Sequence, residues 1–127
     1  MSAQSRKHRG YRSQKVVAER FRRIFPNAEP TGAGRSGADV LATPGVDIEV
    51  AARRGFPVVE KMKQIAARAK SNHTDNGPLL GIVVLRPDGM GETTVGDWPA
   101  IVRLDDLIDL LKEAGYGYTV RIDSDDL

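Results

Sequence analysis

Asp39 and Glu49 stand ten residues apart, on either side of Pro44-Gly45, in the run Gly32–Arg54 (GAGRSGADVLATPGVDIEVAARR). With the backbone carbonyl of Val50 they form a ligand set for a hard divalent cation. Magnesium takes oxygen donors, one or two of them carboxylates, and leaves the remaining positions to waters and substrate phosphates. Magnesium, or manganese in its place, would polarise a phosphodiester there and make a water acidic near neutral pH. A nearby lysine normally orients the nucleophile or meets the charge that develops on the phosphorus centre. Two residues after Glu49, where that lysine is wanted, the chain has Ala51. The competing reading is purely structural: Asp39 opens a strand after a turn, and Glu49 is a surface strand residue.

Two strands must position this pair. Asp39–Thr43 and Val46–Ala52 read as an antiparallel hairpin around Pro44-Gly45. In the second strand Val46, Ile48 and Val50 alternate with Asp47, Glu49 and Ala51, so the apolar set faces a core and the other set shares the opposite face. A three-residue loop or a bulge pairs Asp39 with Glu49; a two-residue turn pairs it with Val50. The first arrangement sets two carboxylates side by side, where they repel unless a cation lies between them. Upstream, Gly32, Gly34 and Gly37 match the spacing G-x-G-x-x-G. That fingerprint has to open a helix to bind a dinucleotide, and here a strand follows. The glycines are read instead as backbone freedom or close approach to a partner backbone.

The remaining elements frame the hairpin. Tyr11 or Arg12 to Ile24 has apolar residues Val16, Val17, Phe21 and Ile24 at helical spacing, with Ser13 as its cap, Pro26 beyond its end and a cationic outer face. Asn27–Ala33 is a short edge strand. Val58–Ala69 is a second helix burying Val59, Met62, Ile65, Ala66 and Ala69, with Lys61, Gln64 and Arg68 as a polar ridge beside that stripe. Leu79–Leu85 is a near-continuous apolar strand, central in the sheet. Thr93–Val95 and Ile101–Leu104 are brief strands. Asp105–Ala114 is a last helix closed by Gly115, and Tyr118–Ile122 a further edge strand. The order predicts an α/β fold, a mixed β-sheet flanked by helices in a single domain. A flexible basic arm (1–10) precedes this domain (11–115), and an acidic tail (116–127) follows it.

At 127 residues the chain holds one core. Its 40% hydrophobic and 28% charged residues are those of a soluble globular protein. There is no cysteine, which excludes disulfides and thiolate chemistry, and no apolar run long enough for a membrane span. A cytoplasmic protein is the expectation. The net charge of +2 hides a segregation: Arg6 to Arg23 is strongly cationic and Asp105 to Asp126 strongly acidic. A positive face of that kind can neutralise phosphates. His8 and His73, the only histidines, offer no metal spacing, and Trp98 beside Pro99 is read as a packing anchor.

Gly37-Ala38-Asp39, followed ten residues on by Ile48-Glu49-Val50-Ala51 and preceded by a basic helix, resembles the PD-(D/E)xK nuclease superfamily. Within it the chain looks most like the small Holliday-junction resolvases of the archaeal type and their bacteriophage relatives, over roughly Arg6 to Gly115. Lys7-His8-Arg9-Gly10, Gln64 on the second helix and Trp98-Pro99 to Ala114 add to the likeness.

The resemblance implies a restriction-endonuclease-like fold, a homodimer, and nicking of two symmetry-related strands of a four-way DNA junction. A two-fold dimer suits that substrate. It also implies that Asp39, Glu49 and the Val50 carbonyl bind magnesium or manganese, and that Gln14, where many relatives have glutamate, lies beside the site. Ser36 would touch the scissile strand, and Gln64 would belong to the catalytic set. The cations assigned to DNA are Arg6, Lys7, Arg9, Arg12, Lys15, Arg35, Arg53, Arg54, Lys61 and Lys63.

Two positions depart from the family pattern. Ala38 replaces the usual proline, and Ala51 replaces the motif lysine. The latter admits three explanations: a lysine-to-alanine variant made to bind without cutting, transfer of the lysine's role to Arg53, Lys61 or Lys63, or a natural relative that does not cleave. The function expected is thus a magnesium-dependent, structure-selective endonuclease for branched DNA. The alternative is a catalytically dead nuclease-fold module that binds DNA, and a third, blander reading is a protein-interaction domain docking its basic arm on an acidic partner.

Overall fold

The computed structural model describes residues 3–32, 38–52, 55, 57–71 and 79–117, with the side chains of 3–8 and 69–71 outside the description. The strand expected at 118–122, the acidic tail from 118 onward and the loop holding Gly34 and Gly37 therefore lie outside the described residues, as do His73 and the side chains of His8 and Ala69.

The first helix, α1, spans Ala3–Phe21. It starts about nine residues earlier than the apolar periodicity predicts. Residues 3–9 are mostly good helix formers with no apolar stripe, so propensity extends the helix where pattern is silent. Ser13 is therefore no cap. It is fully buried in mid-helix, and its hydroxyl donates to the Arg9 carbonyl one turn back (2.8 Å). The helix stops short of Ile24, which is exposed, and Phe25 N–H closes the final turn on the Phe21 carbonyl.

Strands β1 (Glu29–Pro30) and β2 (Val40–Leu41) pair antiparallel, and β3 (Val46–Ala51) follows. The Asp39 amide donates to the Ile48 carbonyl (2.9 Å), tying the start of β2 to β3. Two residues turn the chain between them: Ala42 at φ 62° and Gly45 at φ 85°. Thr43 locks the corner, its hydroxyl donating to the Val46 carbonyl while its own carbonyl accepts the Val46 amide.

Helix α2 (Val58–Ser71) carries the chain across to β4 (Leu80–Leu85), which runs parallel to β3 in the register Val46↔Leu80 to Ala51↔Leu85. Antiparallel to its other edge is β5 (Ala100–Ile101), so β4 is central in a mixed three-stranded sheet. Between β4 and β5, Glu92–Asp97 forms a 3-10 helix where a strand was expected at Thr93–Val95. Helix α3 (Leu104–Glu113) ends at Gly115 (φ 92°), whose amide and that of Tyr116 cap the Lys112 and Leu111 carbonyls.

The architecture is mixed α/β, with helices on both faces of β3. Ile48 and Val50 pack with Val17 and Ala18 of α1, Val40, Val84 and Trp98. Ala51 packs on the other side with Ile65 of α2 and Val83. Both faces of β3 are consequently buried, as the parallel β3–α2–β4 crossover requires. Glu49 is not a surface strand residue. Val59, expected in the α2 stripe, is exposed; Ile65 is the buried anchor. Gly81 permits the close seating of α2, because a Cβ there would collide with Ile65 Cγ2. No described helix is long and apolar enough to cross a membrane.

Candidate metal and nucleic-acid site

Asp39 lies where β2, β3 and α1 converge. Val50 N–H donates to its Oδ2 (2.8 Å) and Gln14 Nε2 to its Oδ1 (3.1 Å), while Gln14 Oε1 accepts the Gly32 amide (3.3 Å). Gln14 thus links the basic helix, the start of the glycine loop and the carboxylate. Burial pushes the Asp39 carboxyl up to about 7. The Val50 amide works against the rise, whereas the Glu49 carboxyl adds to it by hydrogen bonding and charge; Lys61 opposes it weakly. The hydrogen bonds of Asp39 to the Ile48 carbonyl and from the Val50 amide place it against β3, at the residues on either side of Glu49 in the chain.

Glu49 and Asp47 both face α2 and are almost fully buried. They share one counter-ion. Arg68 grips Asp47 with two donors, Nε to Oδ2 and Nη2 to Oδ1, and reaches Glu49 Oε1 with Nη2 alone (3.0 Å). The Asp47 contact, more than the Glu49 one, raises the guanidinium pKa above its ordinary value. A buried carboxylate needs such a partner. The pairing explains how Asp47, Glu49 and Asp39 coexist within one small region.

Ala51 is wholly enclosed among Ile65, Val83 and their neighbours, on the face of Glu49 but beneath α2. Of the described cations among the candidates to replace the missing lysine, Lys61 is the one whose field reaches Asp39. Its ammonium also donates to Gln64 Oε1 (3.4 Å), at an exposed contact. Gln64 is on the outer side of α2, away from the carboxylates' hydrogen bonds. Lys63 is exposed and sits 3.9 Å from Glu60. Arg53 and Arg54 lie outside the described residues, as do Ser36 and Arg35.

The basic helix is less free than its composition implies. Arg9 Nε donates to the Ala52 carbonyl at the end of β3 (3.1 Å), and Arg12 pairs with Glu92 (3.0 Å). Lys15 is exposed; the side chains of Arg6 and Lys7 are not described. Arg86 organises this side. It donates to Ser13 Oγ, Glu92 Oε2 and the Met90 carbonyl, and stacks over Trp98 at 5.4 Å. Trp98 is the packing anchor the sequence implies, buried in the larger core.

The donor chemistry fits a magnesium or manganese ion held by few protein groups. Two adjoining carboxylates, one already reluctant to ionise beside the other, gain from a shared cation. Among the described residues no three His, Cys, Asp or Glu side chains form a ready metal cage. Waters and phosphate oxygens would complete the shell, as is usual for magnesium. At Val50 the amide, engaged by Asp39, is the group the structure ties into the site.

Asp47, Arg68 and Arg86 are the site residues that sequence reasoning missed. Asp47 and Glu49 share a face by alternation, and Arg68 belongs to the ridge of α2. The signal for their pairing was the β3–α2 crossover, which places that ridge over that face.

No protein family, curated protein or solved structure matches this chain.

Proposed function

We propose that the chain is a magnesium-dependent, structure-selective endonuclease of the restriction-endonuclease-like type, acting on branched, four-way DNA. The observation that carries this reading is the juxtaposition of Asp39 and Glu49, with Gln14 of the basic helix bonded to Asp39. The chain order also supports it: helix, three short strands, crossover helix, then a strand parallel to the third.

In this reading magnesium or manganese, when bound, polarises the phosphodiester. Gln14 and the Val50 amide orient the Asp39 carboxylate, one on each oxygen, so that its geometry is set before substrate arrives. Glu49 supplies the second carboxylate from a strand held on both faces. Lys61 and Lys15, together with the cations flanking the glycine loop and β3, attract the phosphate backbone. The acting unit is a homodimer, with the exposed leucines of α3 as its contact surface.

A second reading has its own support. Glu49 is already ion-paired, and the motif-lysine position is an alanine inside an apolar cluster. A nuclease-fold module that binds DNA without cutting would retain these features. Titrating salt against binding to a four-way junction and to plain duplex is the test. The endonuclease reading expects junction preference, with affinity rising when magnesium is added. Preference without any magnesium effect would favour the module, and equal or absent binding to both DNAs would reject a junction enzyme.

A further inference from the structure

Arg68 holds two buried carboxylates unequally. Its grip on Asp47 uses two nitrogens on two oxygens, the planar fork arrangement that makes arginine–carboxylate pairs strong. Its reach to Glu49 is one bond, from a nitrogen already engaged with Asp47. Glu49 can therefore turn away without Arg68 losing its anchor. Asp39, the carboxylate with which Glu49 would share a cation, is held against the same strand by the Val50 amide and by its own amide on the Ile48 carbonyl. Glu49 thus has two rival charge partners, the arginine it already meets and a cation shared with Asp39. Two positive charges drawing on one carboxylate compete, and in a poorly hydrated site the competition is strong.

We propose that Arg68 is a positioning residue that regulates cation uptake, acting as the built-in rival of the divalent ion for Glu49, with Asp47 setting how strongly it competes. This rests on the endonuclease reading for the identity of the cation site. Asp47 keeps the guanidinium occupied, so that Glu49 is only lightly held and can be released to the ion. Without Asp47 the whole guanidinium turns to Glu49. Without Arg68 the rival is gone.

Manganese binding, followed by loss of the free-ion electron paramagnetic resonance signal, reads this directly and needs no catalysis. Asp47→Asn is expected to weaken manganese binding about tenfold, whereas Arg68→Gln tightens it by about the same factor. Because Arg68→Gln leaves Asp47 buried without its ion pair, the double variant Asp47→Asn/Arg68→Gln is the safeguard. It keeps a neutral hydrogen-bonded pair and is also expected to bind more tightly than the native chain. A purely structural clamp would alter thermal stability and leave manganese affinity unmoved in all of these, which overturns the proposal. So does weaker binding in the double variant, which would make Arg68 a helper of Glu49. Either failure leaves the endonuclease reading standing if native binding is abolished by Asp39→Asn. If no variant shows Asp39-dependent manganese binding, both fall together.

Discussion

Gln14 and Asp39, 25 residues apart in the chain, are joined by a hydrogen bond of 3.1 Å from the glutamine amide to Oδ1. The other end of the same side chain accepts the Gly32 amide. Removing it with Gln14→Ala leaves both groups short of a partner. The expected loss is about 1 kcal/mol of stability, the usual scale for one such bond. Manganese affinity should fall as well, since Asp39 loses one of its two orienting donors. Thermal unfolding and the manganese titration measure the two effects separately; unchanged affinity would mean that Gln14 serves packing alone.

The acidity of Asp39 gives a pH signature. Its carboxyl is raised from 3.8 to about 7 in the folded protein, chiefly by burial. Between those values the folded chain retains a proton that the unfolded chain has lost, so stability falls as pH rises. The contribution is complete below about pH 4 and gone once pH has passed about 7. In chelator, the native chain should melt at a lower temperature at about pH 8 than at about pH 5, by an increment that Asp39→Asn abolishes. Manganese binding runs the other way, strengthening with pH up to about 7 as the proton is displaced.

In the endonuclease reading, Ala51 is the position on which cutting would depend. Its methyl group is enclosed by Ile65 and Val83, so Ala51→Lys must thread a long side chain past them. A cost of about 1–3 kcal/mol is expected from overpacking. The ammonium would emerge on the Glu49 face, and a gain in junction nicking on the order of 10²-fold is expected, the scale of one well-placed charge-stabilising group. Denaturant unfolding and a gel assay on the same preparation report both. Lower stability with no change in nicking would show that Ala51 is a packing residue only.

Helix α3 makes a prediction about assembly. Leu104, Leu107, Ile108, Leu110 and Leu111 are all exposed, and no residue of this helix is buried. Sedimentation should find a dimer at micromolar protein. Leu107→Asp/Leu111→Asp, one turn apart on one face, should leave a folded monomer. A native monomer, or a dimer indifferent to these changes, would separate α3 from assembly.

Much of this arrangement is legible in the residues, and what is not has definite causes. The alternation of Val46 to Ala51 announces β3 and its two faces, and the apolar run after Pro78 announces β4 as the inner strand. The start of α1 is hidden because Gln4 to Arg9 carry helix propensity without an apolar stripe. Thr93–Val95 has strand-forming residues, but tertiary context folds them into a 3-10 helix. Asp47 escaped notice for a different reason. Alternation places it beside Glu49, yet only the parallel crossover brings Arg68 over both, and that contact spans 21 residues of chain. Long-range charge pairing of this kind leaves no local pattern.

The most direct measurement is nicking of a four-way DNA junction in magnesium by the native chain, Ala51→Lys and Asp39→Asn. Paired nicks in symmetry-related strands are expected from Ala51→Lys, with a weaker product from the native chain, and Asp39→Asn should abolish them when added to either. No cleavage by Ala51→Lys, together with no effect of Asp39→Asn on magnesium-dependent junction binding, would contradict a DNA-cutting role for the Asp39–Glu49 corner.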